Sequence, residues 1–524
     1  MNQYVDNILH AFALLADDPD QLQRIGALSG ELEWADPQSV AEMLGGMANL
    51  APGISPPILD RGAEIVVQKM ARSAEGPESA GGTSDCLAGI AGLYRTLESS
   101  ARTRNYLLNW LARINSRESL ELFARLVSGD PPTCEKTIVM AFAPLVRFNH
   151  AFAADALFPE ILGGLQHPSV AAAILDLANF LTREGRVEEH PASQHIDSLI
   201  NMLGLLTEQL AMIEEGNLPE TADPLELSRR VNDTVSLIAS LCDALALIGN
   251  PRAQGKLTRA AGLKHRRIRA EALAALVRLG DEDSADELLG LAAEPVARLR
   301  ILHYAEELAL LDRIDPQWLT PESRAESELA IWLASPSNMG LAPGEIEFLD
   351  QRHLAWPGYD DPIDCFLVRY RYELAHQSIE NIGIVGPVTH AFSFPLTTLD
   401  CHDIYAAFAG WHCTHEEIEE IAPDQANQLR PGVIERLMSR LASEQLEGLD
   451  PGSVAPVFLG LFMGQEVLVA EGIRDDRHGT LVVDRDEVEW FAPPGGDAPG
   501  RNELAWSIYK GRRLLSAFNP SLRF

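Results

Sequence analysis

The chain has 524 residues, 46% hydrophobic and 23% charged, with a formal net charge of −34. The length exceeds one compact core and fits about two to four domains, while the acidity should repel nucleic acid and anionic membrane at long range. No run approaches about 18 uninterrupted apolar residues, the first residues lack the basic region of a signal peptide, and six scattered cysteines make no disulfide framework, so the expected location is the reducing cytoplasm.

From the start to about residue 71, apolar residues recur at three and four. Ile8, Phe12, Leu14 and Leu15 read as the face of one helix, and Val40, Met43, Leu44 and Met47 as another. Pro56-Pro57 ends a segment, and 73–85, rich in glycine and poor in large apolar groups, reads as a loose loop. Between 87 and 216 the helical pattern continues with a blurred period. Ile114-Asn115, Phe148-Asn149 and Leu181-Thr182 stand 34 and 33 residues apart, and Pro131-Pro132 and His167-Pro168 fall where a unit should turn. A longer helix over 196–215 closes this half, and 216–223 is a polar break.

The clearest order lies in 241–314. Gly249 and Gly280 are 31 residues apart, and the next step of 31 lands on Leu311. Asn250, Asp281 and Asp312 share one phase, Leu257 pairs with Leu288, and Ile268-Arg269 pairs with Leu299-Arg300. A fixed period of this length with helical spacing inside each unit predicts stacked helix pairs. Ala244-Leu245 before Ile248-Gly249-Asn250, and Ala275-Leu276 before Leu279-Gly280-Asp281, resemble the short HEAT-like repeats of phycobilisome lyases. The resemblance covers 241–314 well and 87–215 weakly. Chromophore lyases, DNA glycosylases and many scaffolds share such repeats, so it speaks for fold and hardly for chemistry. In that family an arginine after the first helix meets the Asp or Asn of the turn. Arg269 and Arg300, with Asn250, Asp281 and Asp312, would fill these places.

Beyond 335–344 the period changes. Phe366, Val368, Tyr370 and Tyr372 alternate with Leu367, Arg369, Arg371 and Glu373, which predicts a half-buried strand. A second strand over 381–394 is interrupted by Gly386-Pro387, and Asp400 suits the N-cap of a helix. A helix over 433–446, strands over 457–471 and 480–490, a Pro/Gly loop over 491–500 and a helix over 504–518 complete the chain. The predicted fold is mainly α: a HEAT-like α-solenoid followed by a smaller α+β C-terminal module. Its divisions are degenerate repeats over 1–215, clear repeats over 224–334, a linker over 335–350 and the α+β module over 351–524.

Two constellations bear on chemistry. His390, Cys401, His402, His412, Cys413 and His415 fall within 26 residues, which as a metal reading suggests zinc or iron. On one unbroken helix, however, Cys401 and His412 would stand roughly 16 Å apart, and only a break at Gly410 could gather them. The preferred alternative is a helix packing through Ile404, Phe408 and Trp411. The second constellation is basic. Residues 252–278 carry Arg252, Lys256, Arg259, Lys264, Arg266, Arg267, Arg269 and Arg278 against the single acid Glu271. Lys256, Arg259, Lys264, Arg266 and Arg267 are the candidate partner-binding residues, for a protein with an acidic patch. An internal docking surface for acidic neighbours is the other reading. No phosphate loop, nucleophile elbow, HExxH or CxxC occurs. The expected function is therefore a non-catalytic protein-binding scaffold without cofactor. Two rivals remain: a metal-binding or metal-dependent enzymatic module at the His/Cys cluster, and nucleic-acid binding or base repair through the basic strip.

Overall fold

The computed structural model describes residues 3–73, 82–147, 152–216, 224–374, 377–413, 418–492 and 500–521. The chain forms two compact units, Met1–Leu288 and Leu289–Phe524. The first holds α1 (Gln3–Ala13), α2 (Gln21–Leu28), α3 (Pro37–Leu50), α4 (Pro56–Met70), α5 (Ser84–Thr96), α6 (Arg102–Ile114), α7 (Arg117–Gly129) and α8 (Glu135–Arg147). It continues with α9 (Ala153–Leu157), α10 (Pro168–Arg183), α11 (Ile196–Glu214), α12 (Pro224–Ile248), α13 (Gln254–Ala261), α14 (Arg266–Arg278) and most of α15 (Asp283–Gly290).

These helices form two layers because each is apolar on one stripe. Every even-numbered helix from α2 to α14 packs on the next even one. The odd helices α1 to α9 follow one another in the same way, and α11 packs on α13. This is a helical solenoid, in which each unit buries its face only against its neighbours. Local signals explain the boundaries. Pro56-Pro57 and Pro168 stand at the first turns of α4 and α10, where a missing N–H costs nothing; Pro56-Pro57 thus opens a helix. The loop expected over 73–85 lies partly outside the described residues, and Thr83 closes it by capping α5.

The 31-residue period marks helix ends. Gly249 and Gly280 follow α12 and α14 with φ of +73° and +90°. After α14, Gly280 N–H bonds to Val277 O and Asp281 N–H to Leu276 O, a closure that needs a left-handed residue. The same pair of bonds recurs at Gly185 and Arg186 after α10. In the next repeat the left-handed position is Ala309, at +54°, two residues before the expected Leu311. The arginine ladder also differs from expectation. Arg269 pairs with Glu287 at 3.0 Å, Asn250 caps the turn at Arg252 N, and Arg300 lies over the Tyr304 ring. The stapling is done by buried arginines instead. Arg104 donates to Leu97 O, pairs with Asp130 at 2.9 Å and lies over Tyr94.

A polar buried joint ties α10 to α12. Asn179 donates to Ser240 O, and His190 Nε2 lies 2.9 Å from Asn179 Oδ1. Ala192 N–H donates to His190 Nδ1, so the ring is held neutral with its proton on Nε2. Burial lowers its pKa from 6.5 to about 4. The unfolded chain therefore takes up a proton that the folded one refuses. This contribution, about 3 kcal/mol, is complete above about pH 6.5 and is lost as pH falls to about 4. The stability gap between wild type and His190→Gln should narrow over that window in denaturant melts. Parallel curves would remove His190 from the acid response.

By length and composition two helices, Ser193–Glu214 and Arg229–Ile248, are apolar enough to cross a bilayer. The second is more than half buried, consistent with its place between α10 and α14.

The second unit begins with α16 (Pro295–Glu307) and α17 (Pro321–Ala334). Arg298, 1% exposed, donates to Ala292 O and Ser323 O and pairs with Glu326 at 3.0 Å, under the Trp318 ring. Strands β1 (Glu345–Leu354), β2 (Ile363–Leu374), β3 (Gln377–Val385) and β4 (His390–Ala391) form an antiparallel meander, followed by α18 (Cys401–His412). Next come β5 (Glu419–Ile421), α19 (Pro423–Leu429), α20 (Val433–Glu444), β6 (Ala455–Phe462), β7 (Gln465–Arg474), β8 (Arg477–Val483), β9 (Val488–Phe491) and α21 (Arg501–Phe518). The second sheet has the order β5-β6-β7-β8-β9. This is an α+β module. β1 begins inside the segment expected to be a linker. The single strand expected over 457–471 is a hairpin that turns at Met463-Gly464, both with positive φ.

Side-chain alternation sets the layers. Phe366, Val368, Tyr370 and Tyr372 face Leu329 and Leu333 of α17. Cys365, Leu367, Ile382 and Ile384 face Ile404 and Phe408 of α18. In the second sheet Leu468, Ala470, Leu481 and Val483 meet α20, while Val467, Val469 and Val482 meet Trp506 and Tyr509 of α21. Thus helix, four-stranded meander and closing helix run twice, as α17, β1–β4, α18 and as α20, β6–β9, α21, and β1 and β6 carry bulges, at Phe348/Asp350 and at Pro456/Phe458, while β5 adds an edge to the second sheet only. The closing helices α18 and α21 pack together. A Cβ on Gly410 would lie 1.9 Å from Ser507 O, and one on Gly511 1.8 Å from Ala406 O. Only glycine permits that approach.

Candidate functional site

The basic strip is carried by α13 and the start of α14, beside α11. Helix α11 buries Leu199, Leu203, Thr207 and Leu210 on one stripe, at helical spacing. Its other side leaves Leu205 63% and Met212 51% exposed. Gly204 lets the Lys256 stem lie against the helix, since a Cβ there would meet Lys256 Nζ at 2.6 Å. Glu208 of α11 then sits 3.8 Å from Lys256 and 3.2 Å from Arg259. Asp197 pairs with Arg252 at 2.5 Å. Glu214 accepts the backbone N–H groups of Lys264 and His265, at 2.8 and 2.9 Å, where a carboxylate suits the start of α14.

Part of the strip is therefore a joint between α11 and α13. Arg278 lies 3.8 Å from Asp243, which also pairs with Arg183, and Arg267 is close enough to Asp176 to offset part of the rise that burial causes in that carboxyl's pKa. The acids of α11 lie some fifty residues upstream, as the 51 from Glu208 to Arg259 shows, which is why charge counting along the chain does not reveal them. The joint is not fully neutralised. Lys264, Arg266 and Arg267 occupy exposed positions at the head of α14, and among the described residues Lys264 forms no ion pair. What this arrangement offers is two exposed apolar side chains, Leu205 and Met212, on the helix whose Glu208 holds Lys256 and Arg259. Leu205 and Met212 escape a reading of the sequence, because their exposure depends on what packs beside α11.

The His/Cys cluster is dispersed. Helix α18 is continuous through Gly410, so Cys401 and His412 sit at its opposite ends. His390, on β4, stacks on Trp411 with centroids 3.7 Å apart, and burial lowers its pKa to about 4. His412 Nδ1 accepts from Trp356 Nε1 at 3.0 Å, and its own pKa is lowered by burial. His402 Nδ1 lies 3.1 Å from Arg352 Nη1. Burial pushes the Cys401 thiol up, and Cys413 Sγ donates to Gly410 O. His415 lies outside the described residues. Among the described residues no three His, Cys, Asp or Glu side chains are placed to hold one ion. None of the six cysteines is joined in a disulfide among the described residues.

A family model of HEAT repeats matches residues 230–309, the span in which the sequence period is sharpest. No curated protein matches the chain.

Proposed function

We propose that the chain is a non-catalytic scaffold of the cytoplasm. It holds a partner protein through the face formed by α11, α13 and the head of α14. The observation that carries this reading is that α11 exposes Leu205 and Met212 while its Glu208 pairs with Lys256 and Arg259 and its Glu214 accepts from the head of α14, where Lys264 and Arg267 are exposed. Apolar anchors ringed by charge are what a protein interface needs, the anchors for affinity and the charges for steering and register. HEAT repeats, matched over 230–309, offer long continuous surfaces for such use. The partner implied carries acidic residues around an apolar contact. Nucleic acid is disfavoured by the net charge of −34 and by the lack of aromatic platforms on the strip.

Quantitative capture from lysate of the source cell tests this, using Leu205→Glu and the pair Lys264→Glu/Arg266→Glu. The same protein should be depleted in both variants, with circular dichroism and melting unchanged, since these positions are exposed. Capture by wild type should weaken as salt rises past the range where charges are screened within about 8 Å. Unchanged recovery in both folded variants would remove the face from the binding site.

A further inference from the structure

A cleft of about 580 Å³ opens between α20, the β6–β7 turn and the loop joining β8 to β9. Four arginines line it, Arg430, Arg436, Arg440 and Arg485, together with Glu466 and Asp486. In a chain of net charge −34, such a concentration of guanidinium groups runs against the field of the whole molecule.

Their pairing leaves donors over. Glu466 is shared, 3.0 Å from Arg430 and 3.2 Å from Arg436, so one carboxylate serves two guanidinium groups of five N–H donors each. Arg440 is oriented by Glu444 at 2.9 Å and by Asp486 O at 3.0 Å. Arg485 is exposed and forms no ion pair among the described residues. Positive donors held by neighbouring carboxylates in a concave wall are preorganised for an anion.

We propose that this cleft is a binding site for a small, multiply phosphorylated anion, either a linear polyphosphate or a phosphorylated polyol. Guanidinium forks match phosphate oxygens in pairs, and several converging forks reward several phosphates. The volume suits a small ligand. The lining has no aromatic ring to stack a nucleobase, and Leu437 is its one apolar side chain, so a nucleoside or an apolar peptide anchor gains little. The cleft lies at the β6–β7 turn rather than along either edge strand, β5 or β9, so an added peptide strand has no ladder to join. Gln465, Glu466 and Asp486 supply polar groups that a polyol's hydroxyls can meet.

The test is isothermal titration of the full chain with sodium tripolyphosphate and, separately, with myo-inositol hexakisphosphate, at about 50 and about 200 mM salt. Saturable binding at one site, weaker at the higher salt, is expected for at least one of them, and the tighter of the two identifies the source. Arg436→Ala and Arg485→Ala, both at exposed positions, should each weaken it about tenfold. Arg259→Ala, in the other unit, should not weaken it. No saturable binding by either probe overturns the proposal. So does equal weakening by Arg259→Ala, which would mean diffuse attraction. A glutamate hexapeptide that binds as tightly as the phosphates, with the same dependence on Arg436 and Arg485, would also overturn it by assigning the cleft to an acidic protein segment.

Discussion

Gly511→Ala is expected to destabilise the second unit by about 3 kcal/mol or more, and Gly410→Ala by a similar amount. Overpacking a core costs about 1–3 kcal/mol when neighbouring side chains can yield. Here the opposing atoms are backbone carbonyls, Ala406 O at 1.8 Å and Ser507 O at 1.9 Å, and no rotamer change relieves them. The helices α18 and α21 must separate, which disturbs both cores that they join. The control is Gly92→Ala, in the middle of α5, where a Cβ meets nothing within 4 Å; it should be neutral or stabilise by about 0.5–1 kcal/mol. Guanidinium denaturation resolves both effects. A Gly511→Ala protein within about 0.5 kcal/mol of wild type would show that the two helices do not meet as described.

Arg298→Met should cost about 3–5 kcal/mol, because it removes one partner of a buried ion pair and strands the rest. Glu326, on a side chain 19% exposed, would keep the Phe348 N–H but lose its counter-charge, and the carbonyls of Ala292 and Ser323 would lose the guanidinium. Arg298→Lys should recover little, since one ammonium cannot reach the carbonyls and the carboxylate at once. A melting curve for Arg298→Met that matches wild type would reduce this staple to a decoration. Arg104 bonds to carbonyls in the first unit in the same manner, but its partner Asp130 is 52% exposed, so Arg104→Met is expected to cost less.

The repeat was legible because its mark is local. A helix that ends in a left-handed residue favours glycine, and Gly249 and Gly280 print that demand directly into the chain. Where Ala309 takes the position instead, the period slips. The arginine ladder was misassigned for a related reason. Spacing shows which arginines share a phase, but burial decides which one staples, and Arg298 rather than Arg300 points inward. Strand β1 escaped notice because Glu345, Glu347, Asp350 and Arg352 give it a polar edge, and its apolar Ile346 and Phe348 are only partly buried. For the candidate face, the cations were visible and their partners were not. Glu208 meets Lys256 only after α11 and α13 have packed. Likewise Arg430, Arg436, Arg440 and Arg485 are scattered in the chain and converge only through the sheet.

The contact between α18 and α21 has one further property. Ala406 and Gly410 are four residues apart on one helix, as Ser507 and Gly511 are on the other. Gly410 meets the Ser507 carbonyl while Gly511 meets the Ala406 carbonyl. Exchanging the two helices therefore maps the contact onto itself. That reciprocity is the mark of an isologous, two-fold interface, here formed within a single chain. Each half brings its own helix, its own meander with a bulged first strand, and its own closing helix. The contact between α18 and α21 thus has the form of a two-fold interface, although the second sheet carries one strand, β5, that the first lacks. The symmetry stops at the contact, for the arginine-lined cleft at the β6–β7 turn belongs to the second half alone.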